Sequence, residues 1–174
     1  MYEFRPGDVI ADIGSGDNAF FTRHLVLLHD SLVIYAQEIE SGYVDIMREA
    51  VQQFASLRKT PNSNVVEYVF GTEKYTNLPK STFDKVIIRK TFHHFEFMDE
   101  MLTDIRQIMK DNGKLYIFDP IEDLQEDHPI YTRDTILTSL QRNFFTLKRE
   151  NEECGYFHGI KVPFKMYIFE KNEI

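Results

Sequence analysis

At 174 residues, with 43% hydrophobic residues including fifteen Phe and nine Tyr, the chain is long enough to bury one core, and residues 1–174 are expected to form a single domain. A net charge of −8 argues against non-specific nucleic-acid binding, and no apolar run approaches the roughly 20 residues that a bilayer span requires. The opening MYEFRPGD has no basic region followed by an apolar core, and the one cysteine, Cys154, cannot build a disulfide framework or a thiolate zinc site, so a cytoplasmic location and no metal are expected.

A Pro6-Gly7-Asp8 turn leads directly into an apolar run, Val9 to Ile13, that reads as a buried strand. Gly14 and Gly16 follow two residues apart and supply a tight turn in which the backbone can approach a ligand. Asp17 or Asn18 is then expected to cap a helix whose apolar face holds Phe20, Phe21, Leu25 and Leu28 with His24. Strand, glycine turn and helix in that order frame a nucleotide site. A second strand, Leu32 to Ala36, ends at Gln37-Glu38. Glu38 falls roughly 20 residues beyond the glycines, where the acidic residue that meets a ribose sits in βαβ nucleotide sites.

Ser41 to Leu57 carries the next helical pattern through Val44, Met47, Val51, Phe54 and Ala55, and Thr60-Pro61-Asn62 ends it. Asn64 to Phe70 reads as the third strand, followed by Gly71-Thr72. The stretch STFDKVIIRKTFHHF, Ser81 to Phe95, gives a turn, a fourth strand at Val86 to Ile88, and a polar loop with His93 and His94. Asp99 to Met109 is an amphipathic helix, with Gly113 suited to a left-handed cap, and Lys114 to Phe118 is the fifth strand. Tyr131 to Leu140 reads as a helix, and Phe144 to Arg149 and Pro163 to Glu170 as two last strands. The loop between those strands is too short for a crossover helix, so they should be antiparallel.

Two nucleotide readings compete for the glycine turn, because GSGDNA formally satisfies the dinucleotide fingerprint G-x-G-x-x-G/A. Asp12 separates them: a carboxylate two residues before Gly14 would repel a pyrophosphate but suits an ammonium or sulfonium. Asp12-x-Gly14-x-Gly16 resembles the first motif of class I S-adenosylmethionine-dependent methyltransferases. Phe83-Asp84 with its strand and the His93-His94 loop resembles that family's fourth-strand motif, and IRQIMKDNGKLYIFDP its fifth-strand segment, so the resemblance covers about residues 6 to 120.

That resemblance implies a three-layer Rossmann-like α/β fold, a mostly parallel sheet in the order 3-2-1-4-5-7-6 with an antiparallel last strand. It implies S-adenosylmethionine as cofactor, with Asp12, Gly14 and Gly16 on its methionyl part, Glu38 on its ribose, and Gly71, Thr72 and Glu73 on its adenine. Arg89 is placed against the cofactor too, and the stretch from Arg89 to Phe95 faces the methyl group and the acceptor. Thr72 departs from the acidic residue many members carry there, and Asn18 from their third glycine. A cofactor-binding module without catalysis, or less readily a nicotinamide-dependent oxidoreductase, stands as the alternative.

Methyl transfer from a sulfonium disperses charge, so alignment and water exclusion matter most. Phe20, Phe92 and Phe95 are the candidate apolar wall, of which one is expected to touch ligand and the others to pack in the core. His93 or His94 has the intrinsic pKa of a base, should the acceptor have to lose a proton; the pair could equally pack or cap a helix. Two acidic stretches, Asp119 with Glu122, Asp123, Glu126 and Asp127, and Glu150 with Glu152 and Glu153, are expected to be loops over the site. They favour a neutral or cationic small-molecule acceptor, or a basic peptide, over nucleic acid, with Cys154, Tyr156, Phe157 and His158 as an aromatic lid. No membrane partner is expected, and the sequence does not speak to oligomeric state.

Overall fold

Strands that read as unbroken apolar runs must be covered on both faces. In the computed structural model, which describes residues 2–120, 131–157 and 160–172, and only the backbone of 153–157 and 160–162, they form the parallel part of one seven-stranded sheet. The chain runs β1 (Val9–Ile13), α1 (Phe20–Leu28), β2 (Val33–Glu38), α2 (Tyr43–Ser56), β3 (Val65–Phe70), β4 (Phe83–Arg89), a 3₁₀ turn at Phe92–His94, α3 (Met98–Ile108), β5 (Met109–Pro120), α4 (Arg133–Arg142), β6 (Phe145–Phe157) and β7 (Ile160–Lys171). The spatial order is β3-β2-β1-β4-β5-β7-β6, with the first five strands parallel and β7 antiparallel to both its neighbours.

Helices cover both faces. Leu25 and Val26 of α1 and Met47 and Val51 of α2 pack with Ile10, Ile34 and Ile87 on one side. Met101, Leu102 and Ile105 of α3 and Ile136 and Leu140 of α4 pack with Ala11, Val86, Ile88 and Ile117 on the other. This three-layer architecture is the one the resemblance implied. Among the described residues no helix is long and apolar enough to cross a membrane.

Three local expectations are corrected. The helix before β5 ends at Ile108 with Met109 extended, and Gly113 is not left-handed. It lies instead in an irregular stretch of β5, where the pairing with β4 steps from Phe83↔Met109 to Lys85↔Lys114. A Cβ on Gly113 would come within 2.8 Å of the Phe83 carbonyl oxygen, so close backbone approach explains the glycine. At α1 neither Asp17 nor Asn18 caps the helix: Ala19, at φ 44°, precedes it with no side-chain hydrogen bond. Finally, residues 150–157 are not a loop. They continue β6 along β7, from Glu150↔Tyr167 to Phe157↔Ile160. The charged residues that suggested a loop belong to the edge strand of the sheet, where charge is tolerated and blocks edge-to-edge association. An aromatic lid on this connection is therefore not supported, and His158 lies outside the described residues.

Candidate cofactor and acceptor site

Parallel strands deliver all their following loops to one rim, and on that rim lies a cavity of about 1100 Å³. The glycine turn forms its floor. Gly14 and Gly16 have φ of 68° and 70°, a region that suits glycine. The Gly14 and Ser15 amides both donate to the Gln37 carbonyl, each at 3.0 Å. The Gly16 amide donates to Glu38 Oε2 at 2.8 Å, and the Ile39 amide to Oε1 at 2.7 Å. Glu38 is thus held rigid at the end of β2, on the cavity wall, with lone pairs left for a ligand.

Beside it, Gly71 permits close contact with Gln37: a Cβ there would collide with the Gln37 side-chain amide. Gln37 lines the cavity, and its buried Nε2 has no hydrogen-bond partner among the described residues. Thr72 and Glu73 also line it. The Thr72 hydroxyl accepts from the Tyr75 amide at 2.9 Å, and its own amide donates to the Tyr75 carbonyl at 2.7 Å, so both serve the turn. Glu73 is exposed at the mouth.

Asp12 is placed differently from the expectation. It is only 2% exposed and lies behind the glycine turn, off the cavity wall, where Oδ2 accepts from Thr22 Oγ1 at 2.7 Å. Burial raises its carboxyl above the ordinary 3.8, against the pull of hydrogen bonds from Thr22 and Ser15 and of the more distant Arg89 charge. A raised folded-state value means that the folded protein binds the proton more tightly than the unfolded chain. Stability is therefore lost as pH rises from 3.8 through the folded value. Asp12→Asn, which keeps the acceptor for Thr22, should be more stable than the parent at about pH 8, with the advantage vanishing toward about pH 4. Urea unfolding across that range measures it, and a difference independent of pH would contradict it.

The β4 side supplies different chemistry. The guanidinium of Arg89 stands over the rings of Phe20 at 5.3 Å and Phe118 at 5.0 Å, and Lys90 Nζ over Phe164 at 5.1 Å. Thr91 Oγ1 donates to the Gly14 carbonyl at 3.2 Å and ties this loop to the glycine turn. The two histidine rings touch, with centroids 4.1 Å apart, but differ in exposure. His94 is exposed on the cavity wall, whereas His93 is 2% exposed, off the wall, with Nδ1 2.9 Å and its amide 3.0 Å from Asp119 Oδ2. Of the three phenylalanines, Phe20 and Phe95 line the cavity and Phe92 is core.

The acidic rim is also revised. Asp119 ends inside β5, buried against His93. Glu150 is tied to Arg133 at 2.8 Å and to Lys165 at 3.5 Å. Glu122, Asp123, Glu126 and Asp127 lie outside the described residues. Sequence reading missed Gln37 as part of the site, and it placed Thr91 only within the Arg89 to Phe95 stretch, without its bond to Gly14. Gln37 had a signal in its place beside Glu38 at a strand end; the Thr91 contact with Gly14 had none, since only the fold makes it.

A model of the methyltransferase domain family matches residues 11–117, more than half of the chain. A ubiquinone/menaquinone biosynthesis C-methyltransferase of Wigglesworthia glossinidia brevipalpis is 25% identical over 114 residues, 66% of this chain and 43% of that protein, so the match spans less than half the relative's length. Among solved structures, a SAM-dependent methyltransferase from Aquifex aeolicus superposes with a TM-score of 0.76 at 19% identity, covering 97% of this chain and 85% of the other. One from Methanosarcina mazei gives 0.75 at 12% identity, covering 97% and 94%. These matches leave the dinucleotide-oxidoreductase reading without support. The residues present also fit S-adenosylmethionine: a fixed carboxylate for a diol, an unmet buried amide donor at Gln37, and an acidic half of the cavity for a cationic ligand. The chain belongs to the methyltransferase domain family.

Proposed function

We propose that this chain transfers a methyl group from S-adenosylmethionine to a small-molecule acceptor, with the cofactor along the β2–β1 half of the cavity and the acceptor at its β4 half. The observation that carries the reading is Glu38, a carboxylate locked by the Gly16 and Ile39 amides on the wall of a cavity large enough for both ligands. S-adenosylmethionine supplies, when bound, a methyl on a sulfonium sulfur, which leaves as a neutral thioether when the acceptor lone pair takes the methyl.

The chain's own residues bind, orient and exclude water. Glu38 receives the ribose hydroxyls; Gln37 with the Gly71 to Glu73 turn receives the adenine; Gly14 and Gly16 bring backbone against the methionyl part. Asp12 supports that turn from behind, through Thr22. Phe20 and Phe95 form the apolar wall, and the exposed His94 imidazole is placed to take a proton from an acceptor that must lose one. His93, bound to Asp119, positions His94 and Phe95.

Calorimetric titration with S-adenosylmethionine, S-adenosylhomocysteine and NADH tests this. Saturable binding of the adenosyl ligands and none of NADH is expected, and the reverse would remove the reading. Glu38→Gln should weaken S-adenosylhomocysteine by about 1–3 kcal/mol, the range for a hydrogen bond to a charged acceptor. An unchanged dissociation constant would move the ribose contact elsewhere.

A further inference from the structure

We propose that the methyl acceptor is a small organic anion with an apolar body, its negative group received by the Arg89 guanidinium while the body lies against Phe20 and Phe95. This rests on the methyl-transfer reading and adds the acceptor's charge to it.

The cavity is polarised by strand order. Its wall on the β1, β2 and β3 side carries Asp17, Glu38, Glu40 and Glu73; its wall after β4 carries Arg89 and Lys90 side by side, with Glu96 beyond them. A cationic sulfonium ligand suits the first half. The second half gathers cations instead, and an acceptor that occupied it with a positive charge would meet both.

Arg89 is already held but not satisfied. Its guanidinium carbon lies 5.3 Å from the ring centre of Phe20 in α1 and 5.0 Å from that of Phe118 in β5. Cation–π attraction of this kind holds the charge near the rings without taking up an oxygen acceptor. Among the described residues its side chain makes no ion pair, and none of its donors is taken up by a protein acceptor. The carboxylate that acts on it electrostatically, Asp12, is buried and committed to Thr22. A planar guanidinium on the cavity wall, its donors not taken up among the described residues, matches the two-oxygen geometry of a carboxylate.

Lys90 reinforces the same polarity. Burial, and then the neighbouring Arg89 charge, lower its ammonium below the ordinary 10.5. An anion beside the two cations would relieve that repulsion, and a neutral or cationic acceptor would not. The apolar part of the acceptor has its place in the same half, because Phe20 is 45% exposed and Phe95 faces the cavity from the turn after the histidines.

The rival occupant for Arg89 is the carboxylate of the cofactor's own methionyl group, and the experiment separates the two. The protein saturated with S-adenosylhomocysteine is titrated with benzoate, benzamide and benzylamine, with the parent chain, Arg89→Gln and Arg89→Lys, and S-adenosylhomocysteine affinity is measured for each. Benzoate is expected to bind at least about tenfold more tightly than the amide or the amine, a charge-assisted hydrogen-bond pair against a neutral one. Arg89→Gln should erase that preference and Arg89→Lys keep part of it, with S-adenosylhomocysteine affinity changed by less than about twofold. Equal binding of benzamide, preference for benzylamine, absence of any charge-dependent binding, or a benzoate preference that survives in Arg89→Gln would each overturn the proposal. So would Arg89→Gln weakening S-adenosylhomocysteine about tenfold, which would give the guanidinium to the cofactor. If the parent chain bound no S-adenosylhomocysteine, the methyl-transfer reading would fail by itself; the benzoate and benzamide titrations on the ligand-free protein would still report the charge preference at Arg89.

Discussion

His93→Ala is expected to cost about 1–3 kcal/mol of unfolding free energy, the range for leaving a buried hydrogen-bonding group without its partner. The pair is deep in the protein: His93 and Asp119 are each 2% exposed, and Asp119 Oδ1 has no partner among the described residues. The carboxylate therefore depends on its Oδ2, which accepts from the His93 ring at 2.9 Å and from the His93 amide at 3.0 Å. Burial already raises the Asp119 carboxyl above 3.8, and the His93 hydrogen bond works against that. Without the ring the carboxylate keeps its burial penalty and loses the larger compensation.

The sign with pH follows. In His93→Ala the carboxyl should rise further above 3.8, so the deficit is fullest at neutral pH and shrinks as pH falls through the raised value, where Asp119 takes up a proton. Denaturant unfolding at several pH values measures it. Because His93 is off the cavity wall, S-adenosylhomocysteine affinity per folded molecule should stay within about twofold of the parent, while acceptor KM rises through the loosened His94 and Phe95. A variant that folds with full stability and loses kcat alone would make His93 a proton carrier and refute the positioning role.

How much of this was legible beforehand depended on whether the information was local in the chain. Gly14 and Gly16 are features of one turn, and Glu38 is one helix away, so spacing pointed to residues that line the floor and wall of the cavity. The order of the sheet came from the family resemblance that these motifs carry, since alternating strands and helices alone allow more than one order. Contacts that the fold makes were not legible. Asp119 is 26 residues from His93 and Thr91 is 77 from Gly14, and no periodicity links either pair. Asp12 shows a further limit: its residue type and position suggested a ligand contact, and only burial reveals that it turns inward to Thr22. The run Glu150 to Phe157 misled for another reason, since polarity marks a solvent-facing edge strand as well as it marks a loop.

Gly14→Ala is the sharpest test of the floor itself. The residue has φ 68°, where an alanine pays about 1–2 kcal/mol for crowding between Cβ and backbone. In addition, the new Cβ would run into the Thr91 side chain, whose own Cβ would be 2.9 Å away and whose Oγ1 and Cγ2 would both be nearer. Overpacking of that kind adds about 1–3 kcal/mol, so the combined loss of stability should be about 2–5 kcal/mol. The loop can escape only by shifting, and any shift carries the Gly16 amide away from Glu38 Oε2 and loosens the carboxylate proposed to hold the ribose. S-adenosylhomocysteine affinity should therefore fall together with melting temperature. Thr91→Ala in the same chain removes the two atoms beyond Cβ and should restore part of the stability, but not the share that belongs to the backbone. Thermal melts and calorimetry on the parent, the two single variants and the double variant close the cycle. If Thr91→Ala restored nothing, the two atoms beyond its Cβ would play no part, and the strained backbone with the remaining Cβ contact would account for the glycine.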